Sequence, residues 1–275
     1  MKVVATGLMV LALSVFALAP AANVAGLEPF GKLELSGGAE REPHTPAGAR
    51  GTVEALGVWA FTPGFGVQGS AHYVGGLGSR AGLSLGPLFA WDWGKVGGFV
   101  AYQHRGLRGS DFVHLVPSMA FYLPQMNFNL WYAHPVTGAQ RGGDRVEYGV
   151  NKIQGTASYY PGSDWAPFLR KDNVEFLLGV QANTFAGAGH QKLGGTGVGP
   201  VFGISFLPIQ GVTVNLVRGT VDHKSRYKVA SGLELFYDAK GGTTLKEARR
   251  KYLEPNTDMP AAGGKSELSH CCVSG

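Results

Sequence analysis

The sequence predicts an all-β protein, a transmembrane up-and-down antiparallel β-barrel of about twelve strands, and three observations predict it. Apolar and polar residues alternate within segments of roughly ten residues or more, as where Met126, Phe128 and Leu130 interleave with Gln125, Asn127 and Asn129. The connections alternate between tight bends and longer polar stretches. Aromatic residues gather beside the tight bends, where amphipathic rings can lie at lipid headgroups. A strand in a soluble sandwich also alternates, but a sandwich has little reason to band its rings at one end of so many strands.

Composition agrees. The 275 residues include 43 glycines, only 16% charged residues and 11% aromatics, which disfavours helix bundles and disorder and favours closely spaced strands. A mean hydropathy of +0.02 is what a barrel gives when every second side chain of a strand meets water. The formal charge is +5 and the pI about 9.2, a modest basic excess whose placement matters more than its size.

In chain order, Met1 and Lys2 followed by the apolar run Val3 to Ala19, with a small-residue exit to Ala22, read as a signal peptide over 1–22. The barrel is expected over 27–238. Its first strand runs from Leu27 to Glu40, with Leu33 and Leu35 on one face and Lys32 and Glu34 on the other. Thr52 to Phe61 and Phe65 to Val74 follow, joined by the bend Thr62-Pro63-Gly64. Gly82 to Trp93 and Val96 to Arg105 are separated by Gly94 and Lys95. Phe112 to Leu123 turns at Pro124 and Gln125 into a strand ending near His134. That strand should show Met126, Phe128, Leu130 and Tyr132 to lipid and Asn127, Asn129 and Trp131 to the lumen.

Val146 to Tyr160 changes face midway, since Tyr148 and Val150 fit one parity and Ile153, Ala157 and Tyr159 the other, which predicts a β-bulge. The last four strands are Val174 to Phe185, Thr196 to Phe206, Val212 to Val221 and Lys228 to Asp238. Bends near residues 63, 94, 124 and 208 are tight, and the connection near 165 belongs with them by order. Connections near 46, 78, 108, 140, 191 and 224 are longer and more polar. Trp59, Phe61, Trp91, Trp93, Phe121, Tyr122, Tyr159, Tyr160, Phe206, Phe236 and Tyr237 all lie toward the tight-turn end.

With these features the chain resembles the bacterial outer-membrane β-barrel class over roughly Leu27 to Asp238. The segment Ser231-Gly232-Leu233-Glu234-Leu235-Phe236-Tyr237 is similar to the aromatic-ending signal read by the barrel-insertion machinery, although here a tail continues to Gly275. The resemblance implies a cell outer-membrane location, periplasmic turns, and contact with outer-membrane lipid and lipopolysaccharide. No single family within the class is matched.

The expected function is a small porin-like channel for small polar or anionic solutes. The alternative is a plugged structural or surface-binding barrel whose basic loops contact lipopolysaccharide or a partner. Pore-lining candidates are Gln68, His72, Gln103, Arg105, Asn127, Asn129, Glu175, Gln181, Asn183, Asn215, Lys228 and Glu234, which share the amide-rich parity. Arg41, Arg50, Arg80, Arg108, Arg141, Arg145, Lys192, Lys224 and Arg226 form a basic rim at the loop end, able to attract anionic lipid or solute. Trp131 on the lumen parity would narrow any pore and favours the plugged form.

Residues 239–275 are expected to be a periplasmic tail, a short helix around Thr244 to Leu253 or a disordered terminus, through which a periplasmic partner could be met. His270, Cys271 and Cys272 have metal-binding residue types, but adjacent cysteines do not close a four-ligand site, so no metal is expected. The cysteines give no disulfide framework. No enzymatic activity, cofactor or nucleic-acid partner is expected. The Asn-His-x-Ser-Asn-Gly stretch of outer-membrane lipid hydrolases is absent, and the pairs Ser70 with His72 and His114 with Ser118 lie at spacings that alternation alone produces.

Overall fold

The structure is a computed structural model that describes residues 27–41, 47–76, 79–106, 109–138, 140–142, 145–164, 170–185, 197–222, 226–238, 243–253 and 261–265. The alternating segments form β1 (Phe30–Arg41), β2 (Gly48–Thr62), β3 (Phe65–Gly76), β4 (Arg80–Trp91), β5 (Gly94–Arg105), β6 (Ser110–Leu123) and β7 (Met126–Pro135). After a short β8 (Gln140–Gly142) come β9 (Arg145–Tyr159), β10 (Val174–Phe185), β11 (Gly197–Ile209), β12 (Val212–Asp222) and β13 (Arg226–Asp238). A helix, α1 (Leu245–Arg250), and a last strand, β14 (Ala261–Lys265), follow.

Every neighbouring pair is antiparallel. β1 pairs with β2 on one side and β13 on the other, β7 pairs with β9, and β9 pairs with β10, so twelve strands close into one barrel. Closure removes all free edges in the wall, as a lipid environment with no competing hydrogen-bond partners demands. β8 and β14 do not belong to the ring. They pair with Arg145–Glu147 and Arg145–Gly149, where β9 runs on past the rim at the loop end.

The two faces separate as the alternation requires. On the outside Val100, Leu115, Leu130, Ile153, Leu178, Val180 and Leu233 are exposed. Such an area of bare aliphatic surface is stable only against lipid. At the turn end Phe61, Trp91, Trp93, Phe121, Tyr159 and Tyr237 are exposed, and a chain of ring contacts runs from Phe61 to Phe65 to Phe89 and from Trp91 to Trp93 to Phe121, with centroids 5.1–5.9 Å apart. The girdle is thinner than the sequence suggests, because Tyr122 and Phe236 are on the inward parity and Tyr160 is buried.

The bulge expected in the strand beginning at Val146 is absent. β9 keeps one register against both β7 and β10, with Val150 buried and Ile153 exposed in plain alternation. Val150 is an apolar side chain turned inward, which a partly filled lumen tolerates. A bulge occurs instead in β12, where the partners of Ile204 and Ser205 in β11 are Val217 and Asn215 and Leu216 is the extra residue. The sharp turn between β11 and β12 uses Gly211 at φ 80°, in the left-handed region that glycine enters without strain.

Candidate functional site: a lumen closed at one end by the chain's own tail

The tail does not lie wholly beyond the turn end. α1 sits inside the mouth of the barrel at that end, while β14 pairs at the loop end. Signal residues 1–22, residues 254–260, and His270, Cys271 and Cys272 lie outside the described residues.

The local sequence explains α1. Thr244 and Glu247 make a reciprocal capping box, the Glu247 amide donating to Thr244 Oγ1 at 3.3 Å and the Thr244 amide donating to Glu247 Oε2 at 2.9 Å. Two further amides that a helix start leaves open are taken by the connection between β9 and β10. Leu245 donates to Asn173 Oδ1 at 3.1 Å and Lys246 to the Asp172 carbonyl at 3.1 Å. Asp172 holds φ 64°, and its carboxylate pairs with Lys246 Nζ at 2.6 Å. Thr244→Ala is expected to cost about 1 kcal/mol of this docking, seen as faster amide exchange over 245–250 with the barrel amides unchanged.

Hydrogen bonds and ring contacts tie α1 and the three residues after it to six wall strands. Arg249 Nη1 donates to Glu234 Oε2 at 2.6 Å and to the Tyr252 hydroxyl at 2.6 Å, and its Nε donates to Glu175 Oε2 at 3.1 Å. The β12 bulge is what brings Arg218 into the same cluster, 3.3 Å from Glu175, because uninterrupted alternation from Asn215 would aim it at lipid. Ser158 and Tyr160 donate to Glu175 Oε1 at 2.8 and 3.1 Å, and Asn215 Nδ2 donates to Glu234 at 2.8 Å. Tyr160 lies just past β9. Burial and the neighbouring Glu175 carboxylate hold its phenol well above the usual value, so it stays a donor.

Elsewhere on the circumference, Gln68 of β3 bonds the Leu253 backbone both ways, at 2.7 and 2.9 Å. The Tyr252 ring stacks on Phe30 of β1 at 5.4 Å, with Lys32 Nζ 5.3 Å from its centroid. Arg250 lies over the Tyr122 ring of β6, donates to Asn127 Oδ1 of β7 at 2.8 Å, and also bonds the Leu123 carbonyl. Lys251 pairs with Glu28 at 3.0 Å. Ala248, Tyr252 and Leu253 join inward Leu56, Val58, Leu88, Phe99, Val116 and Trp131 in one buried apolar cluster. The turn-end half of the lumen is thus a packed core.

The twelve pore-lining candidates accordingly divide. Gln68, Asn127, Glu175, Asn215 and Glu234 are buried and bonded within the plug contacts and the ion cluster beneath them, so they hold the tail instead of lining an open path. His72, Gln103, Arg105, Gln181 and Asn183 are buried nearer the loop end, and Asn129 and Lys228 are half-buried. Of the basic rim, Arg41 is exposed, whereas Arg50 and Arg80 turn inward onto Glu40, Arg80 Nη2 at 2.7 Å and Arg50 Nη1 at 3.5 Å, with Lys228 Nζ also 3.5 Å from Glu40. Arg105 stands opposite Arg80 in the register. Three cations therefore surround Glu40 on the inner wall of the loop-end mouth, with Arg105 on the neighbouring strand. Arg141, Arg145 and Arg226 belong to β8, β9 and β13, and Arg108, Lys192 and Lys224 lie outside the described residues.

Neither Ser/His pair forms a catalytic contact. Ser70 Oγ lies 2.7 Å from Ser84 Oγ, and His114 and Ser118 make no hydrogen bond to each other. Among the described residues no group of three or more His, Cys, Asp or Glu residues could hold a metal. Sequence reasoning missed Arg249, Tyr252 and Leu253. The capping-box spacing Thr-x-x-Glu and the apolar spacing of Leu245, Ala248, Tyr252 and Leu253 were the signals that marked a docked helix.

No protein-family model matches the chain, and no curated protein matches it. Among solved structures it is similar to an outer membrane channel from Pseudomonas putida F1, with 10% identity, a TM-score of 0.55, and coverage of 78% of this chain and 96% of that one. It is similar also to NanC porin (10% identity, TM-score 0.53, 74% of this chain and 98% of that one) and KdgM porin (8%, 0.50, 75% and 99%). The shared property is the fold, that of the outer-membrane porin-like β-barrels.

Proposed function

We propose that the protein is a porin-like outer-membrane channel for small polar or anionic solutes, held shut at its periplasmic end by its own C-terminal helix. One observation carries the reading. The inner wall is polar and cationic toward the loop end, whereas its buried apolar cluster, and the carboxylates Glu175 and Glu234 that Arg249 pairs with, lie where α1 covers it. A barrel that served solely as a scaffold would have no need of that division. The cationic mouth around Glu40 raises the local concentration of anionic solutes. The loops and outer belt meet lipopolysaccharide and lipid, the insertion machinery assembles the barrel after export, and the chain carries no chemistry of its own.

The test is ion current in planar bilayers. Full-length protein is expected to remain mostly closed. A chain lacking residues 243–275, which keeps all twelve wall strands, is expected to give stable current once heat-modifiable gel mobility shows that it folds. Silence from the folded, shortened barrel would replace the channel with the structural, surface-binding alternative.

A further inference from the structure

On that channel reading, we propose that the lumen carries a binding site for a neutral saccharide, built from Ser118, Trp131, Gln154 and Gln181. These four residues lie on one rung of the barrel, on β6, β7, β9 and β10, as direct cross-strand partners: Ser118 with Trp131, Trp131 with Gln154, and Gln154 with Gln181. The next partner on the rung is Gly199 of β11, whose lack of a side chain leaves room beside Gln181. The rung begins where the plug ends. Ser118 is paired with Gly97, and Leu253 Cδ1 lies 3.0 Å from where a Gly97 Cβ would stand.

The chemistry of the rung selects the ligand. Ser118 Oγ, Gln154 Oε1 and Gln181 Oε1 are shielded from solvent and have no hydrogen-bond partner, while Ser118, Trp131 and Gln181 are at most 4% exposed. Buried polar atoms without partners are uncommon and call for a group that completes them. The amide oxygens accept only, so the ligand must bring donors, which a carboxylate or an ionised phosphate lacks. An ammonium ligand has donors but meets Lys152 Nζ, fixed 5.0 Å from the centre of the Trp131 ring on the next rung. Hydroxyl groups on a neutral ring satisfy the oxygens, and the apolar face of such a ring suits the edge of the indole. Leu253 abuts the same rung, so saccharide and plug compete for it.

The experiment is an equilibrium titration of the full-length chain in detergent, as wild type and as Arg249→Ala, with maltotriose and with trigalacturonate, followed by heat and by tryptophan fluorescence. Saturable maltotriose binding is expected in the Arg249→Ala protein, weakened by about tenfold or more in Gln154→Leu and in Gln181→Leu when either is added to it. Asn variants at the same two positions, which keep an amide, control for folding. Binding unchanged by the Leu variants, no binding in either background, or equal or tighter binding of trigalacturonate would overturn the assignment. Ion current measured on the same preparations judges the channel reading separately, since a silent barrel can still bind sugar and a conducting one can fail to.

Discussion

Arg249→Ala is expected to turn a mostly closed barrel into one that opens repeatedly in planar bilayers. The guanidinium reaches Glu175, Glu234 and Tyr252 at once, and both carboxylates are buried on the inner wall. Alanine leaves them to Arg218, which is 3.3 Å from Glu175 but 4.0 Å from Glu234. Breaking one side of a buried ion pair costs about 3–5 kcal/mol, and here the loss falls on the contact between plug and wall, because the strands bearing Glu175 and Glu234 remain fixed by their ladders. The helix should therefore leave before the barrel unfolds. Protease cleavage within 243–253 of the folded barrel is expected to accompany the current. Adding Glu234→Gln should restore part of the closure by removing the stranded charge. Current and protease resistance equal to the wild type would show that the ion cluster does not hold the plug.

Leu178→Arg is expected to be the most damaging single change on the outer face. Leu178 lies near the middle of β10 and is 69% exposed. Placing Arg at the bilayer midplane costs about 2–4 kcal/mol in such barrels, falling to about 0–1 near the interfaces. Ile209, 64% exposed at the turn-end limit of β11, supplies the comparison. Urea titration of both variants in lipid vesicles should show a clear loss at 178 and little at 209. Equal losses would mean that the outer belt does not sit in hydrocarbon as the fold requires.

Most of the wall was legible because its code is local. Alternation of period two and Gly or Pro at the bends set every wall strand within a few residues, and Trp131 was correctly read as facing the lumen. The same code misled where an inward position is apolar. Val150 against Ile153 suggested a bulge, although Val150 only faces a partly filled interior. In β12, Asn215 and Arg218 are polar residues of opposite parity on one strand. That was the signal of the true bulge at Leu216, and both side chains reach the Glu175 and Glu234 cluster because of it.

For the lumen, the sequence determined which side chains share the inner face, since strand parity is a property of neighbouring residues. What fills that face was decided by tertiary structure alone. Gln68 and Leu253 are 185 positions apart and bond only because barrel closure brings β3 over the returning tail. Isolated from that wall, TLKEARRKYL is a short charged helix with no evident place to lie. Inside it, four cations and four apolar side chains find a complementary surface drawn from segments along the whole chain, and no local pattern records such a fit.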